Sequence, residues 1–156
     1  MKITLLAIGH KMPDWVSDTF NLYNQRLPHK QQIHLQELPP VKRGKTTSVA
    51  AVKAAEADVL LKKITSGSVL VALDERGKSL STKGLSQHIG QWQQQGRDVF
   101  IVIGGADGLD QTVLQAAQQI WSLSRLTFPH QLVRVIMAEQ IYRAYSLLNN
   151  HPYHRE

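Results

Sequence analysis

Short apolar runs along the chain predict the strands of a sheet. The runs at 69–73 and 99–103, VLVAL and VFIVI, are continuous, which is typical of strands buried on both faces of a parallel sheet. An apolar run at 3–8 ends at Gly9, and an alternating run at 33–38 ends at two prolines. We therefore predict strands at these positions, with the runs at 69–73 and 99–103 at the centre of the sheet.

Segments with apolar residues at helical spacing lie between these runs. Helices are predicted at 13–27, at 48–64, at 82–95, at 110–118 and at 132–148, and an apolar stretch at 120–126 precedes the last one. Strands and helices alternate without an internal repeat or a linker. This order predicts a single α/β domain over 1–156, a mostly parallel sheet with helices on both faces. Its ligand is expected in the loops at the carboxyl ends of the strands.

Composition narrows the possible functions. The 156 residues include 18 Lys and Arg against 12 Asp and Glu, a net charge of +6. This balance favours polyanionic partners, although many proteins carry a mild basic excess for no specific reason. Without cysteine, the chain forms neither a disulfide nor a cysteine-based zinc site. No apolar run has the length needed to cross a bilayer, and the opening residues are typical of a strand rather than an export signal, so we expect a cytoplasmic protein.

A glycine-rich segment, GGADGLD at 104–110, follows one buried strand and precedes a helix. Glycines there let backbone N–H groups and a ligand approach closely, but an ordinary tight turn would use them too. A Walker loop is excluded because no Gly-Lys-Ser/Thr tripeptide occurs. A dinucleotide-binding fingerprint is disfavoured, since the glycine spacing differs and no acidic residue lies at the expected distance.

A basic loop, KRGK at 42–45, lies between a predicted strand and a helix. It suits contact with phosphates, and a solvated loop is the equally open alternative. Arg76 and Lys78 follow the strand at 69–73, so we expect them near the same sheet edge as Gly104. The convergence of these cations strengthens a nucleic-acid interpretation.

The carboxyl-terminal region has three further features. The apolar surface of the helix at 132–148 is wider than one core-facing stripe needs, which indicates a partner subunit. His130, His151 and His154 lack a supporting carboxylate cluster, so no metal site is expected. His130 is expected to cap the following helix. The end of the chain, HPYHRE, is on generic grounds typical of a disordered terminus.

Six segments together resemble the RlmH family of ribosomal RNA methyltransferases, which belongs to the SPOUT class. They are KITLLAIGHKMPDWV, KRGK, VALDERGK, DVFIVIGGADGL, WSLSRLTFPHQLVRV and AEQIYRAYSLLNNHPYHRE. The resemblance covers nearly the whole chain, with 46–67 and 80–96 matching less distinctly. The order of GG-x-x-G, S-x-S-x-L-T-x-P-H and N-H-P-Y-H-R-E is far more specific than any one motif.

The resemblance implies a SPOUT fold with a carboxyl-terminal trefoil knot, S-adenosylmethionine as cofactor, and a homodimer. The implied cofactor contacts lie in three segments: Leu73, Gly104, and the run Leu123, Ser124, Arg125, Leu126, Thr127 and Phe128. Ala106 and Asp107 differ from the Pro-Glu of some relatives. We expect little effect, because glycine backbone rather than these side chains should contact the cofactor.

The resemblance also implies methylation of ring nitrogen 3 of a pseudouridine in large-subunit (23S) ribosomal RNA, with the assembled ribosome as substrate. This nitrogen loses an imide proton as the new bond forms, so a base, or solvent helped by a cation, must remove it. As a hypothesis, we place Tyr153, His154 and Arg155 of one subunit near the methyl donor of the other. His154 is the candidate base, and Arg155 or Arg143 holds a phosphate or a carbonyl.

Three alternatives stay open at this stage. The first is a SPOUT enzyme that modifies another RNA nucleotide, such as a tRNA ribose. The second is a ribosome-binding module without catalysis, and the third is an unrelated nucleotide-binding enzyme. The identity of the methylated nucleotide separates the first from the RlmH-like reaction, and the ligand that binds separates the other two.

Overall fold

The computed structural model describes residues 1–154 and contains a five-stranded parallel sheet in the order β2-β1-β4-β3-β5. The strands are β1 (Ile3–Ile8), β2 (His34–Leu38), β3 (Val69–Ser79), β4 (Val99–Ile103) and β5 (Gln119–Ser122). The helices are α1 (Asp14–Asn24), α2 (Val49–Leu61), α3 (Thr82–Gln95), α4 (Gln111–Ala116) and α5 (His130–Leu148). Single 3-10 turns lie at His29–Gln31 and Pro152–His154.

The sheet separates two apolar layers, because alternate residues of a strand point to opposite faces. In β4, Val99, Ile101 and Ile103 pack with α1, α3 and α5, whereas Phe100 and Val102 pack with α2 and α4. The parallel register places Leu5 of β1 and Val71 of β3 on either side of Ile101. Both faces of the central strands are therefore buried, which explains their continuous apolar sequence.

Short polar side chains set the beginnings of three helices. The side chains of Ser48, Ser81 and Asp110 accept backbone N–H groups in the first turns of α2, α3 and α4. Such bonds satisfy donors that have no partner within a helix. At its other end, α3 stops at Gly96, whose φ of +63° lies in the left-handed region that glycine adopts easily.

The structure confirms the α/β class and the parallel sheet with helices on both faces, and β4 lies at its centre with β3 beside it. Two strands differ from the sequence prediction. β3 continues to Ser79, with a register shift against β5 between Leu73 and Lys78. β5 occupies the start of the apolar stretch at 120–126, which the pattern alone did not assign to a strand. No helix within residues 1–154 is long and apolar enough to span a membrane.

Candidate active site

A cleft of about 490 Å³ opens at the carboxyl ends of β4 and β5 and beside residues 73–76 of β3, where the register of β3 with β5 shifts. These strands are neighbours in the sheet, so the loops that follow them meet at one edge. Segments 73–76, 103–109 and 123–130 supply most of the wall, and Lys53 of α2, Trp121 of β5 and Val133 of α5 complete it. The place that the sequence predicted for a ligand is therefore a real concave site.

The glycine-rich turn forms one wall of the cleft and depends on a close backbone approach. A side-chain carbon at Gly104 would lie 2.8 Å from the carbonyl carbon of Gly108, a distance that real atoms do not tolerate. Gly108 has a φ of +82°, and Gly105 and Gly108 form an isolated antiparallel bridge. At Gly104 glycine is thus required for space, whereas at Gly108 it is required for backbone conformation.

The opposite wall is the loop after β5, which its own hydrogen bonds hold in place. The Ser122 hydroxyl donates to the carbonyl oxygen of Ser124 at 2.9 Å, and the Ser124 hydroxyl accepts the N–H of Leu126 at 2.9 Å. The Thr127 hydroxyl donates to the Glu75 carboxylate at 2.8 Å, and this hydrogen bond connects the loop to β3. The side chain of Leu126 stays 71% exposed beside the cleft.

The structure gathers the three segments that the resemblance singled out. Among the expected cofactor contacts, Leu73, Gly104, Leu123, Ser124, Leu126, Thr127 and Phe128 all line the cleft. Arg125 is exposed and is not among the lining residues. Lys53 and Val133 line it as well, and sequence reasoning missed both because no local motif marks them.

Basic side chains lie in and beside this cleft, together with the carboxylates of Asp74, Glu75 and Asp107. Arg76 lines it, as expected, but Lys78 does not; it lies further along β3 in register with Trp121. In the basic loop at 42–45, Arg43 forms an ion pair with Asp107, a lining residue of the glycine-rich turn. The loop is therefore held against the cleft, and it is exposed to solvent as well.

A buried carboxylate lies beneath this contact. Glu56 of α2 is 5% exposed. If Gly105 carried a β-carbon, that atom would lie 3.1 and 3.2 Å from the two carboxylate oxygens of Glu56. Burial raises the pKa of Glu56, while a backbone hydrogen bond from Val41 and the charge of Arg43 act in the opposite direction. Glu56 therefore connects α2, the basic loop and the glycine-rich turn.

His130 lines the cleft and does not cap α5, contrary to the sequence expectation. The helix begins at His130, its N-cap residue is Pro129, and no side chain caps it. Within residues 1–154, His130 Nδ1 and the neighbouring Arg134 Nε are buried without a hydrogen-bond partner. Burial, and then the charge of Arg134, lower the pKa of His130. Both effects favour the neutral form of this imidazole.

The end of the described chain packs on α5 rather than extending away from it. The Tyr153 hydroxyl donates to the Glu139 carboxylate at 3.2 Å, and its ring lies 4.7 Å from that of Tyr142. Arg143 forms an ion pair with Glu139 at 2.6 Å, and its guanidinium lies 5.0 Å from the Tyr153 ring centre. Tyr153 and Arg143, two of the predicted catalytic residues, thus share one cluster. Arg155 and the side chain of His154 lie outside the described residues.

This cluster is separated from the cleft of its own chain. His130 and Val133, which line the cleft, are in the first turns of α5. Glu139 is six positions beyond Val133, about 9 Å along the helix axis at 1.5 Å per residue. Sequence reasoning missed Glu139, although its spacing of four residues from Arg143 is a recognisable signal of an ion pair on a helix.

Within residues 1–154, no group of three His, Asp or Glu side chains is arranged to hold a metal ion.

Comparisons with known proteins all match this chain to methyltransferases. A family model described as predicted SPOUT methyltransferase matches residues 1–154. The chain is 49% identical over 156 residues to the ribosomal RNA large subunit methyltransferase H of Hydrogenovibrio crunogenus, covering 100% of both chains. It is 50% identical to the protein of the same name from Saccharophagus degradans, covering 99% of this chain and 100% of the relative.

A solved structure supports the fold independently. A probable methylase family protein from Haemophilus influenzae matches with a TM-score of 0.56 and 12% identity, over 95% of this chain and 68% of that one. At this identity the likeness concerns the fold alone.

Proposed function

The chain belongs to the SPOUT methyltransferase family, and from this premise we propose that it methylates ring nitrogen 3 of a pseudouridine in 23S ribosomal RNA, using S-adenosylmethionine and acting on assembled ribosomes. The single observation that carries the proposal is the cleft, where the glycine-rich turn and the loop 123–128 meet. Full-length similarity to large-subunit methyltransferases supports the choice of substrate.

The residues of the cleft fit this cofactor. Its volume lies in the usual range for sites that bind small molecules. Leu73, Leu123 and Phe128 offer apolar surface for an adenine ring, and the carboxylates of Asp74 and Glu75 suit a positively charged ligand. Gly104 keeps the wall free of a side chain and leaves backbone groups near the ligand. When bound, S-adenosylmethionine supplies an electrophilic methyl group.

The cations at the mouth of the cleft would hold the RNA. Lys53 and Arg76 line the cleft, and the exposed basic loop at 42–45 is tied to it by Arg43. Contacts of this kind with phosphates fix the position and orientation of a nucleic acid. Positioning of the base against the methyl donor supplies much of the rate acceleration. Because ribosomes are the substrate, the protein acts in the cytoplasm.

The tail would complete the site of a second subunit. Tyr153 is docked near Glu139, which is about 9 Å along α5 from Val133, the last residue of this helix that lines the cleft. We therefore assign the tail to the partner's cleft in a homodimer, with His154 as the candidate base for the imide proton and Arg143 or Arg155 as the cation that holds a phosphate or a carbonyl. A trefoil knot around the loops of the cleft belongs to the same proposal.

Direct transfer is the test. Purified protein is incubated with labelled S-adenosylmethionine and ribosomes from cells that lack this activity, and the methylated nucleotide is mapped by mass spectrometry. We expect one methyl group on a pseudouridine of the large-subunit RNA. Free ribosomal RNA and tRNA are the parallel substrates. Methylation of a tRNA or of another base would overturn the specificity, and cofactor binding without any transfer would overturn the catalytic assignment.

A further inference from the structure

One carboxylate in the middle of α5 holds several groups together. Glu139 Oε1 accepts hydrogen bonds from Arg143 Nε at 2.8 Å and from the Tyr153 hydroxyl at 3.2 Å. Its other oxygen, Oε2, accepts one from Gln140 at 2.7 Å. Both oxygens are therefore engaged, and the two groups that Oε1 holds are the ones that the proposed mechanism needs.

The cluster is also fixed to the rest of the fold. Gln140 accepts a hydrogen bond from the Thr82 hydroxyl at 2.7 Å, at the first residue of α3. On the other side, Arg26 lies within 6 Å of the ring centres of Tyr142 and Tyr153, at 5.8 Å from each. Glu139 is therefore part of a network that joins α3, α5 and the tail.

We propose that Glu139 is a positioning residue, which holds Tyr153 and Arg143 in the arrangement that methyl transfer requires. The inference rests on the proposed function. Glu139 does not touch the cofactor cleft of its own chain, since it is absent from the lining residues. It acts by fixing the beginning of the tail, at Tyr153, in one place on α5.

A carboxylate suits this role better than an amide would. It is only an acceptor, and its two oxygens together take several donors. Hydrogen bonds to a charged acceptor are about twice as strong as neutral ones. Burial raises the pKa of Tyr153, and the charge of Glu139 and its hydrogen bond raise it further. The phenol therefore stays protonated and remains a donor to Glu139.

The test compares Glu139→Gln with Asp58→Asn in the full-length protein. Asp58 is an exposed carboxylate of α2 for which residues 1–154 show no side-chain hydrogen bond or ion pair, so it controls for the change from carboxylate to amide. We expect Glu139→Gln to lower kcat on ribosomes by about tenfold, through misplacement of the tail, with the Kd for S-adenosylmethionine within about twofold of wild type. Asp58→Asn should match wild type in both measurements.

A second readout does not depend on catalysis. The protein is labelled with ¹³C at the tyrosine Cζ atoms, and the Tyr153 signal is assigned by its loss in Tyr153→Phe and titrated with alkali. In Glu139→Gln the pKa of Tyr153 should fall towards its ordinary value, because the negative neighbour is gone. Tyr153→Phe removes the donor of the hydrogen bond to Glu139 and should also lower kcat. This variant replaces Glu139→Gln in the kinetic test if Glu139→Gln folds poorly.

The outcomes separate this proposal from the proposed function. A wild-type kcat in Glu139→Gln, or an unchanged titration of Tyr153, overturns the positioning role. If the wild-type protein itself transfers no methyl group, the proposed function fails. In that case the NMR titration still decides whether Glu139 holds the tail.

Discussion

At the scale of single residues, the glycine-rich motif forms the wall of the cleft because Gly104 leaves no room for a side chain. Its backbone is not in the left-handed region, so the requirement for glycine there is one of space. A side-chain carbon would lie 2.8 Å from the Gly108 carbonyl carbon and 3.1 Å from Leu109 Cδ2. The atoms of Gly108 that a side chain at Gly104 would meet belong to the backbone, which cannot change rotamer as a side chain can. The turn itself would therefore have to move, and the wall of the cleft would move with it.

We expect Gly104→Ala to weaken S-adenosylmethionine binding by at least about tenfold, since misplaced backbone can no longer contact the ligand, and to cost about 1–3 kcal/mol of stability. Isothermal titration calorimetry and urea unfolding measure the two effects. Gly90→Ala is the matched control. A side-chain carbon at Gly90 would make ordinary contact with Leu148 at 3.4 Å, and alanine favours the interior of a helix. Equal cofactor affinity in the two variants would remove Gly104 from the site.

Charge buried in the core is the residue-scale feature that the sequence did not reveal. Arg134 lies on α5 among apolar residues and is 1% exposed, and Glu56 of α2 is 5% exposed. A sequence pattern places such residues on the polar face of a helix, because ions are rarely buried without partners. The partners of Arg134 are 97 and 125 positions away in the chain, a separation that only the fold closes.

At the scale of elements, Arg134 joins helix α5 to two parts of the sheet, β2 and the end of β1. It donates to Glu37 of β2 at 2.6 Å and to the carbonyl oxygen of Gly9, directly after β1, at 2.9 Å. We expect Glu37→Gln to lower the free energy of unfolding by about 1–2 kcal/mol, because it leaves a buried guanidinium without its counter-charge. The expected loss of unfolding free energy is small because the Glu37 side chain is 36% exposed and its charge is partly screened by solvent.

Urea unfolding at neutral pH measures this loss, with Asp58→Asn as the surface control, which should stay within about 0.5 kcal/mol of wild type. A Glu37→Gln protein as stable as that control would show that the ion pair does not hold β1, β2 and α5 together.

The positions of most elements followed from periodicity, and the exceptions have physical reasons. α3 and β4 begin and end where the pattern predicted. β3 extends past Asp74 because its polar continuation pairs with β5 through an irregular register, which leaves no alternation to recognise. β5 is only four residues long, and the loop after it is apolar too, so the sequence alone does not mark its end. The cleft depends on both of these strands, and its wall could not be placed without the pairing.

At the scale of the whole molecule, the cleft and the tail lie at different places on α5. The cleft touches its first turns as far as Val133, and Tyr153 is docked beside Glu139, about 9 Å further along the axis. A monomer with a docked tail therefore has the cleft proposed for the cofactor without the groups proposed for catalysis. The proposed homodimer resolves this, since a twofold arrangement gives each cleft the tail of the other chain.

Mixing two impaired chains tests that arrangement. One chain ends at Asn149 and keeps an intact cleft, and the other carries Gly104→Ala and keeps an intact tail. If tails act in the partner's cleft, each mixed dimer has one complete site, because the intact cleft of the shortened chain receives the tail of the other.

Random re-association makes half of the dimers mixed, and each mixed dimer has one complete site out of two. At an S-adenosylmethionine concentration below the Kd of the Gly104→Ala chain, activity should therefore rise to about a quarter of the wild-type value when the two chains are combined, above the activity of either chain alone. Methyl transfer to ribosomes is measured after co-refolding at equal concentrations, and two wild-type preparations combined in the same way give the reference. If each tail served its own cleft, every mixed dimer would hold one chain without a tail and one without a working cleft. The mixture would then be no more active than the separate chains, and the intersubunit site would have to be abandoned.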